Sequence, residues 1–232
     1  MRVVYSQCDG DGRPMTIFWI GGAPDAGKTT LARALALRIG AGCYEYDRTD
    51  ATHHAALAAA HADIREFMAA SLEARWVEPS PEALCARALR SFRLRWPLVL
   101  KDLASLQVAD RLLVAEGFGL LPEFVATQIE SPRQALWLIP TESLKQASWS
   151  ARGKPSFKAR LAHPERGAAN LLARDQLLGD EIGRQAAERG LKVIVNDGTL
   201  SPEGLLKTAL EWFGASHSGA LAGPGRGGCD RD

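Results

Sequence analysis

The sequence predicts an α/β domain of three layers on a five-stranded parallel sheet, from three observations. Five short strand-like runs, at 17–20, 43–46, 112–115, 135–139 and 192–195, alternate with longer stretches of helical composition. Strands separated by helices pair in parallel, with helices covering both faces. The first run passes through a glycine-rich loop straight into a helix, and the third ends on an acid, Glu116. Both features belong to sheets that bind ligands beyond the carboxyl ends of their strands.

The loop reads Gly21-Gly22-Ala23-Pro24-Asp25-Ala26-Gly27-Lys28-Thr29-Thr30. From Gly22 it satisfies G-x-x-x-x-G-K-S/T, in which backbone N–H groups cradle phosphates, the lysine reaches the β/γ-phosphates and the hydroxyl reaches Mg²⁺. The apolar strand Ile17-Phe18-Trp19-Ile20 before it and the helix from Leu31 to Leu37 after it supply the context the motif requires. A nucleotide-binding protein is therefore the first expectation, with Gly22, Ala23, Pro24, Asp25, Ala26, Gly27, Lys28, Thr29 and Thr30 around the phosphates.

Composition bounds what surrounds the loop. The chain has 232 residues, 46% hydrophobic and 24% charged, which suits one large domain or a domain with a helical insertion. A net charge of +1, from 28 Lys+Arg against 27 Asp+Glu, argues against nucleic acid as the main partner. Cys8, Cys43, Cys85 and Cys229 form no C-x-x-C pair, so neither a zinc knuckle nor a disulfide framework is expected. No apolar stretch reaches the ~18 residues of a transmembrane helix, and the N-terminus lacks the apolar region of a signal peptide. The expected location is the cytoplasm.

Residues 1–15 are a turn-rich lead-in, and the first strand begins near Thr16. The helix after the loop stops at Gly40, where glycine punctuates a helix end. The strand 43–46 ends on Asp47, at the strand end where a catalytic carboxylate or a plain helix-start aspartate are both natural. From 48 to 107 strand signals vanish and a helical substrate region is expected. In 51–75 the apolar side is Leu57, Ile64, Phe67, Met68 and Leu72. His53, His54 and His61 complete no metal-ligand pattern and read as solvated helix histidines. Ser80 and Pro81 start a helix with Leu84, Ala88, Phe92 and Trp96 turned inward. Arg87, Arg90, Arg93 and Arg95 on it read first as a solvated charged face, with a cationic wall as the rival. Pro97 is expected to kink or end that helix.

The third strand closes on Glu116-Gly117, placing a carboxylate where it contacts Mg²⁺ or its water. After the fourth strand Thr141 caps a helix that runs into the basic, Gly- and Pro-broken stretch Trp149–Arg160. The segment 149–166 has the composition of a lid whose cations Arg152 and Lys154 close over phosphates, with Gly153 allowing the bend. A long helix follows His163, with Leu171, Leu178, Ile182 and Ala186 inward and Arg160, Arg166 and Arg174 near its start. The last strand leads into Asn196-Asp197-Gly198-Thr199, and Ser201 caps a final helix. Residues 214–232 are too poor in apolar side chains to pack and read as a disordered tail.

Over about residues 16–213 the chain resembles the small P-loop kinases of the nucleoside-monophosphate-kinase-like group, including AAA-domain small-molecule kinases of actinobacterial type. The resemblance implies a P-loop NTPase core with strand order 2-3-1-4-5, ATP and Mg²⁺ as cofactors, and a small-molecule phosphate acceptor. It implies that Thr29 and Glu116 serve the metal, that Asp47 orients or deprotonates an acceptor hydroxyl as in shikimate-kinase-like enzymes, that Arg152 holds the lid position, and that Asp197 and Gly198 flank the adenine. Glu116-Gly117 stands where the group usually has Asp-Gly. Residues 48–107 match no pattern that names a substrate. The implied activity is γ-phosphoryl transfer to a hydroxyl compound. A nucleotide or nucleoside kinase using Arg87, Arg90 and Arg93, and a slowly hydrolysing nucleotide switch, remain the alternatives. No membrane partner is expected, and the sequence sets no oligomeric state.

Overall fold

The computed structural model describes residues 15–106, 112–152 and 157–215. The lead-in up to residue 14, the tail beyond 215, and the expected roles of Gly153 and Lys154 lie outside the described residues. The order of elements is β1 (Thr16–Gly22), α1 (Lys28–Ile39), β2 (Gly42–Glu45), α2 (Asp50–Ala58), α3 (Ala62–Ala69), α4 (Leu72–Trp76), α5 (Pro81–Ser105), β3 (Leu112–Glu116), α6 (Pro122–Val125), β4 (Ala135–Pro140), α7 (Glu142–Arg152), α8 (Pro164–Glu188), β5 (Lys192–Asn196) and α9 (Pro202–Phe213). All strand pairs are parallel, in the order β2-β3-β1-β4-β5. This is the expected three-layer α/β fold with the expected order.

Strand alternation assigns the layers. Ile17 and Trp19, Leu113 and Ala115, and Ala135 and Trp137 face one core with Phe92, Val99 and Leu103 of α5 and Leu178 and Ile182 of α8. Ile20, Val114, Leu136 and Leu138 face the other core, with Leu31 and Leu35 of α1 and Leu205 and Ala209 of α9. Because side chains alternate with a period of two, Glu116 shares the parity of Val114 and lies on the α1 side. A shift of one residue would have sent it to the opposite layer.

The glycine loop leaves β1 under a steric demand. Gly22 has φ 128, and a Cβ there would lie 2.0 Å from the Leu138 carbonyl oxygen. Gly22→Ala is expected to lose about 1–3 kcal/mol from backbone strain alone, plus the cost of parting β1 from β4. A thermal or denaturant melt reads this as a lowered midpoint, and an unchanged midpoint would contradict it.

Three local expectations change. The register ends at Glu45↔Glu116, so Tyr46 has no strand partner and opens a 3-10 turn, Tyr46–Thr49. Of the two outcomes expected at Pro97, an end or a kink, the end does not occur, and α5 runs to Ser105. The missing hydrogen bond falls at an exposed position, and Phe92, Val99 and Leu103 on both sides of it are buried in one core. In the 51–75 region only Ile64 of the expected apolar side is fully buried, and Met68 is exposed, because α2, α3 and α4 are short and each turns a different stripe inward.

Candidate active site

The loop between β1 and α1 is held from outside. Ala23 N–H donates to Leu138 O at 3.0 Å, and Asn196 Nδ2 donates to Ala26 O at 3.1 Å. Within it Lys28 Nζ donates back to Ala23 O at 2.7 Å. Burial holds the Lys28 amine below the usual lysine range, with the carboxylates of Asp47, Glu116 and Asp25 pulling the other way. A buried lysine amine at a helix start, inside a glycine loop, is chemically suited to receive an anion.

Thr29, the second residue of α1, donates its hydroxyl to Glu116 Oε1 at 2.9 Å. Glu116 is 1% exposed, and its Oε2 is buried without a hydrogen-bond partner among the described residues. Burial raises its carboxyl above the ordinary value, partly offset by Lys28 and by the Thr29 hydrogen bond. An orphaned carboxylate oxygen beside a threonine hydroxyl is a hard-oxygen donor set that suits Mg²⁺, which keeps several waters and takes phosphate oxygens as its other ligands. Among the described residues no three His, Cys, Asp or Glu side chains gather to hold a metal by themselves.

Asp47 sits on the turn after β2, exposed at the carboxyl end of the sheet. The turn is braced by a network whose extent spacing alone did not reveal. Arg95 of α5, 1% exposed, donates from Nη2 to Tyr46 O at 3.0 Å and Thr49 Oγ1 at 3.2 Å. Its Nη1 donates to Asp50 Oδ1, and its guanidinium lies 3.8 Å from the Tyr46 ring centroid. Arg95 Nε donates to His53 Nδ1 at 3.3 Å, which assigns the proton to Nε2, 2.8 Å from Asp102 Oδ2. Tyr44 OH donates to the same Asp102 oxygen at 3.0 Å. His53 is thus 3% exposed and structural, correcting its reading as a solvated histidine. Gly117 and Gly119 leave the room that the Tyr46 ring fills, since a Cβ at either would meet that side chain at 2.3 and 2.2 Å.

The expected lid arginine lies on α7. Lys145, Trp149 and Arg152, at i, i+4 and i+7, face the loop together and converge on Asp25. Lys145 Nζ lies 3.4 Å from Asp25 Oδ2 and 2.6 Å from Asp175 Oδ2 of α8. Trp149 Nε1 donates to Asp25 Oδ2 at 2.8 Å, and Arg152 Nη1 to Asp25 Oδ1 at 3.4 Å. Asp25 has φ 64, the only non-glycine with positive φ among the described residues. Sequence reasoning missed Lys145, Asp175 and the bracing role of Arg95. A signal existed for Asp175, an acid at the inward spacing of Leu171 and Leu178, and for Arg95, a charge between Phe92 and Val99 on a buried face.

A cavity of about 410 Å³ unites these groups: Pro24, Asp25, Gly27, Lys28, Thr29 and Thr30 from the loop, Asp47, Arg152, and Arg174 with Asp175 from α8. Glu116 lies beneath it through Thr29. Asp197 and Gly198 do not line it. Asp197 Oδ1 instead accepts from Thr199 N and Oγ1 at 2.9 and 2.6 Å. Arg90 and Arg93 are paired at the surface with Asp63 and Glu123, and Arg87 stacks over Phe67 and Trp76. The arginines of α5 therefore form no cationic wall on this cavity. Arg160 and Arg166 are exposed away from it.

No family model matches the chain, and no curated protein matches it. Among solved structures it is similar to TT1252 from Thermus thermophilus, 21% identical with a TM-score of 0.51, over 88% of this chain and 99% of that one. It is also similar to a shikimate kinase from Acinetobacter baumannii in complex with shikimate, 19% identical, TM-score 0.41, over 85% and 90%. A sugar kinase from Janibacter sp. is 18% identical, TM-score 0.44, over 88% and 96%. At 21% identity the likeness to TT1252 speaks to the fold alone. No helix among the described residues is long and apolar enough to cross a membrane.

Proposed function

We propose that the protein transfers the γ-phosphoryl group of ATP, with Mg²⁺, to the hydroxyl of a small acceptor. The observation that carries the reading is one cavity joining Lys28 and Thr29 to Asp47 and Arg152, with the orphaned Glu116 oxygen beneath. The loop N–H groups and Lys28 would bind the β- and γ-phosphates. For this Lys28 Nζ leaves Ala23 O, exchanging a neutral carbonyl for a phosphate oxygen, a stronger charge-assisted bond. Thr29 and, through water, Glu116 would hold Mg²⁺, which when bound neutralises charge on the bridging phosphate oxygens. Asp47 would orient the acceptor hydroxyl and take its proton late, and Arg152 would leave Asp25 to meet the transferring group. The adenine would lie toward Asp197 and Gly198, beyond Asn196, which already touches the loop.

The test is mass spectrometry of a metabolite extract incubated with the protein, Mg²⁺ and γ-labelled ATP. A labelled small-molecule ester is expected. Label appearing only in inorganic phosphate would point to the slow nucleotide switch instead. In the same assay Asp47→Asn should lower turnover about 10²–10⁴-fold, as removal of a positioned base does, with ATP affinity little changed. Equal losses in both would make Asp47 structural.

A further inference from the structure

The lining of the cavity is of two chemical kinds. The glycine loop gives Lys28, Thr29 and Thr30, which suit phosphates, and Trp76 of α4, Phe118 after β3, Phe157 and Leu171 of α8 give an apolar wall. The charged side chains of α8 beside that wall are ion-paired: Asp175 Oδ2 with Lys145 Nζ at 2.6 Å, and Asp175 Oδ1 with Arg174 Nε at 2.6 Å in a contact outside hydrogen-bonding geometry. The Trp149 indole N–H goes to Asp25.

These aromatic side chains are half-buried and held in place. Trp76 stacks with Phe157 at 5.6 Å between centroids and 23° between planes. The Phe67 ring meets it edge-on at 5.7 Å, and the Arg87 guanidinium lies 5.6 Å from its centroid. Phe118 stands edge-on to Tyr46 at 5.9 Å and to Phe92 at 5.1 Å. Such a wall is preorganised, and it presents faces rather than hydrogen-bonding atoms.

Resting on the phosphotransferase reading, we infer that the acceptor carries a flat aromatic or heteroaromatic ring bearing a hydroxyl group, and is not a free sugar or polyol. Each hydroxyl of a polyol turned against Trp76, Phe118 and Phe157 would lose its water without a partner, at about 1–3 kcal/mol apiece. A ring laid on that wall gains contact area and stacking, and one hydroxyl, carried on the ring or on a substituent of it, is the group that meets Asp47. In the transfer the hydroxyl oxygen forms a bond to the γ-phosphorus while the bond from that phosphorus to the β,γ-bridging oxygen breaks. ADP leaves with the electron pair, and the proton passes to Asp47 and then to solvent. The products are ADP and the phosphate ester of the ring compound.

The test is calorimetric titration of the full chain, saturated with Mg·ADP, with four probes: 4-hydroxybenzyl alcohol, adenosine, glucose and myo-inositol. Heat of binding is expected from at least one ring probe and from neither polyol, and the two ring probes separate a carbocyclic acceptor from a nucleoside. Trp76→Leu and Phe157→Leu are each expected to weaken ring binding about three- to tenfold, the weight of one aromatic contact, with Mg·ADP affinity unchanged. Two variants guard against one failing to fold. Binding of the polyols alone, binding of neither class, or ring binding indifferent to both substitutions overturns the inference. Failure of the underlying reading looks different: Mg·ADP itself would not bind, or Lys28→Met would leave its binding intact.

Discussion

Lys28→Met is expected to lower ATP-dependent phosphoryl transfer by about 10²–10³-fold, the effect of removing one preorganised charge donor from a transition state, without lowering the melting temperature of the nucleotide-free protein. The two halves have one cause. Burial depresses the Lys28 amine from the usual value of 10.5, so the folded state holds the charged form at a cost. A lysine depressed in this way stabilises the fold only above the unfolded value, and that contribution is lost as pH falls through the folded one. Methionine fills similar volume and removes the cost, leaving the Ala23 carbonyl as the one unmatched group. The check is a melt with and without Mg·ATP, in parallel with the transfer assay. The wild type should show a ligand-induced rise in midpoint that the variant lacks. Full activity in the variant, or an apo midpoint well below wild type, would contradict the assignment.

Arg95→Met is expected to cost about 3–5 kcal/mol, as removal of one member of a buried charged network does. It strips a donor from Tyr46 O, Thr49 Oγ1 and His53 Nδ1 and leaves Asp50 without its partner from α5. Lysine cannot replace the planar fork that reaches all four, so Arg95→Lys should recover only part of the loss. Chemical denaturation measures both. The same network has a pH signature. His53 is depressed below 6.5, chiefly by burial and also by Arg95, against the opposing pull of Asp102 and Asp50. Tyr44 and Thr49 complete its surroundings. A depressed folded value means stability that is full above the unfolded value of about 6.5 and lost as pH falls through the folded one. Protonation would turn Nδ1–H against Arg95 Nε–H. Wild-type stability should therefore fall on acidification below pH ~6.5 more steeply than that of His53→Gln, and parallel profiles would contradict this role.

Much of the fold was legible because its signals are local. Apolar runs at 17–20, 112–115 and 135–139 are strands buried on both faces, and such strands read as unbroken apolar stretches. Gly40, Ser80 and Ser201 end or start helices through backbone geometry and a single side-chain bond each. The errors share a different cause. Tyr46 leaves β2 because its neighbour strand has ended, α5 passes through Pro97 because tertiary contacts on either side hold it, and His53 is buried because α5 lies across it. None of these facts is contained within a few residues of the position concerned.

The site divides the same way. Gly22 to Thr30 are adjacent in sequence and their geometry is dictated by glycine dihedrals, so the glycine-loop part of the cavity was legible in the sequence alone. Glu116 was placed by strand alternation, which fixes its face once β3 is recognised. Arg95 lies 46 residues from Thr49 and Lys145 lies 120 residues from Asp25, Asp175 lies 30 residues from the Lys145 it pairs with, and only the packing of α5, α7 and α8 against the sheet brings these groups together. The aromatic wall of Trp76, Phe118 and Phe157 is likewise assembled from three separate segments. Short-range backbone chemistry specified the shape of the loop, whereas burial of charges and rings between distant helices decided what faces it.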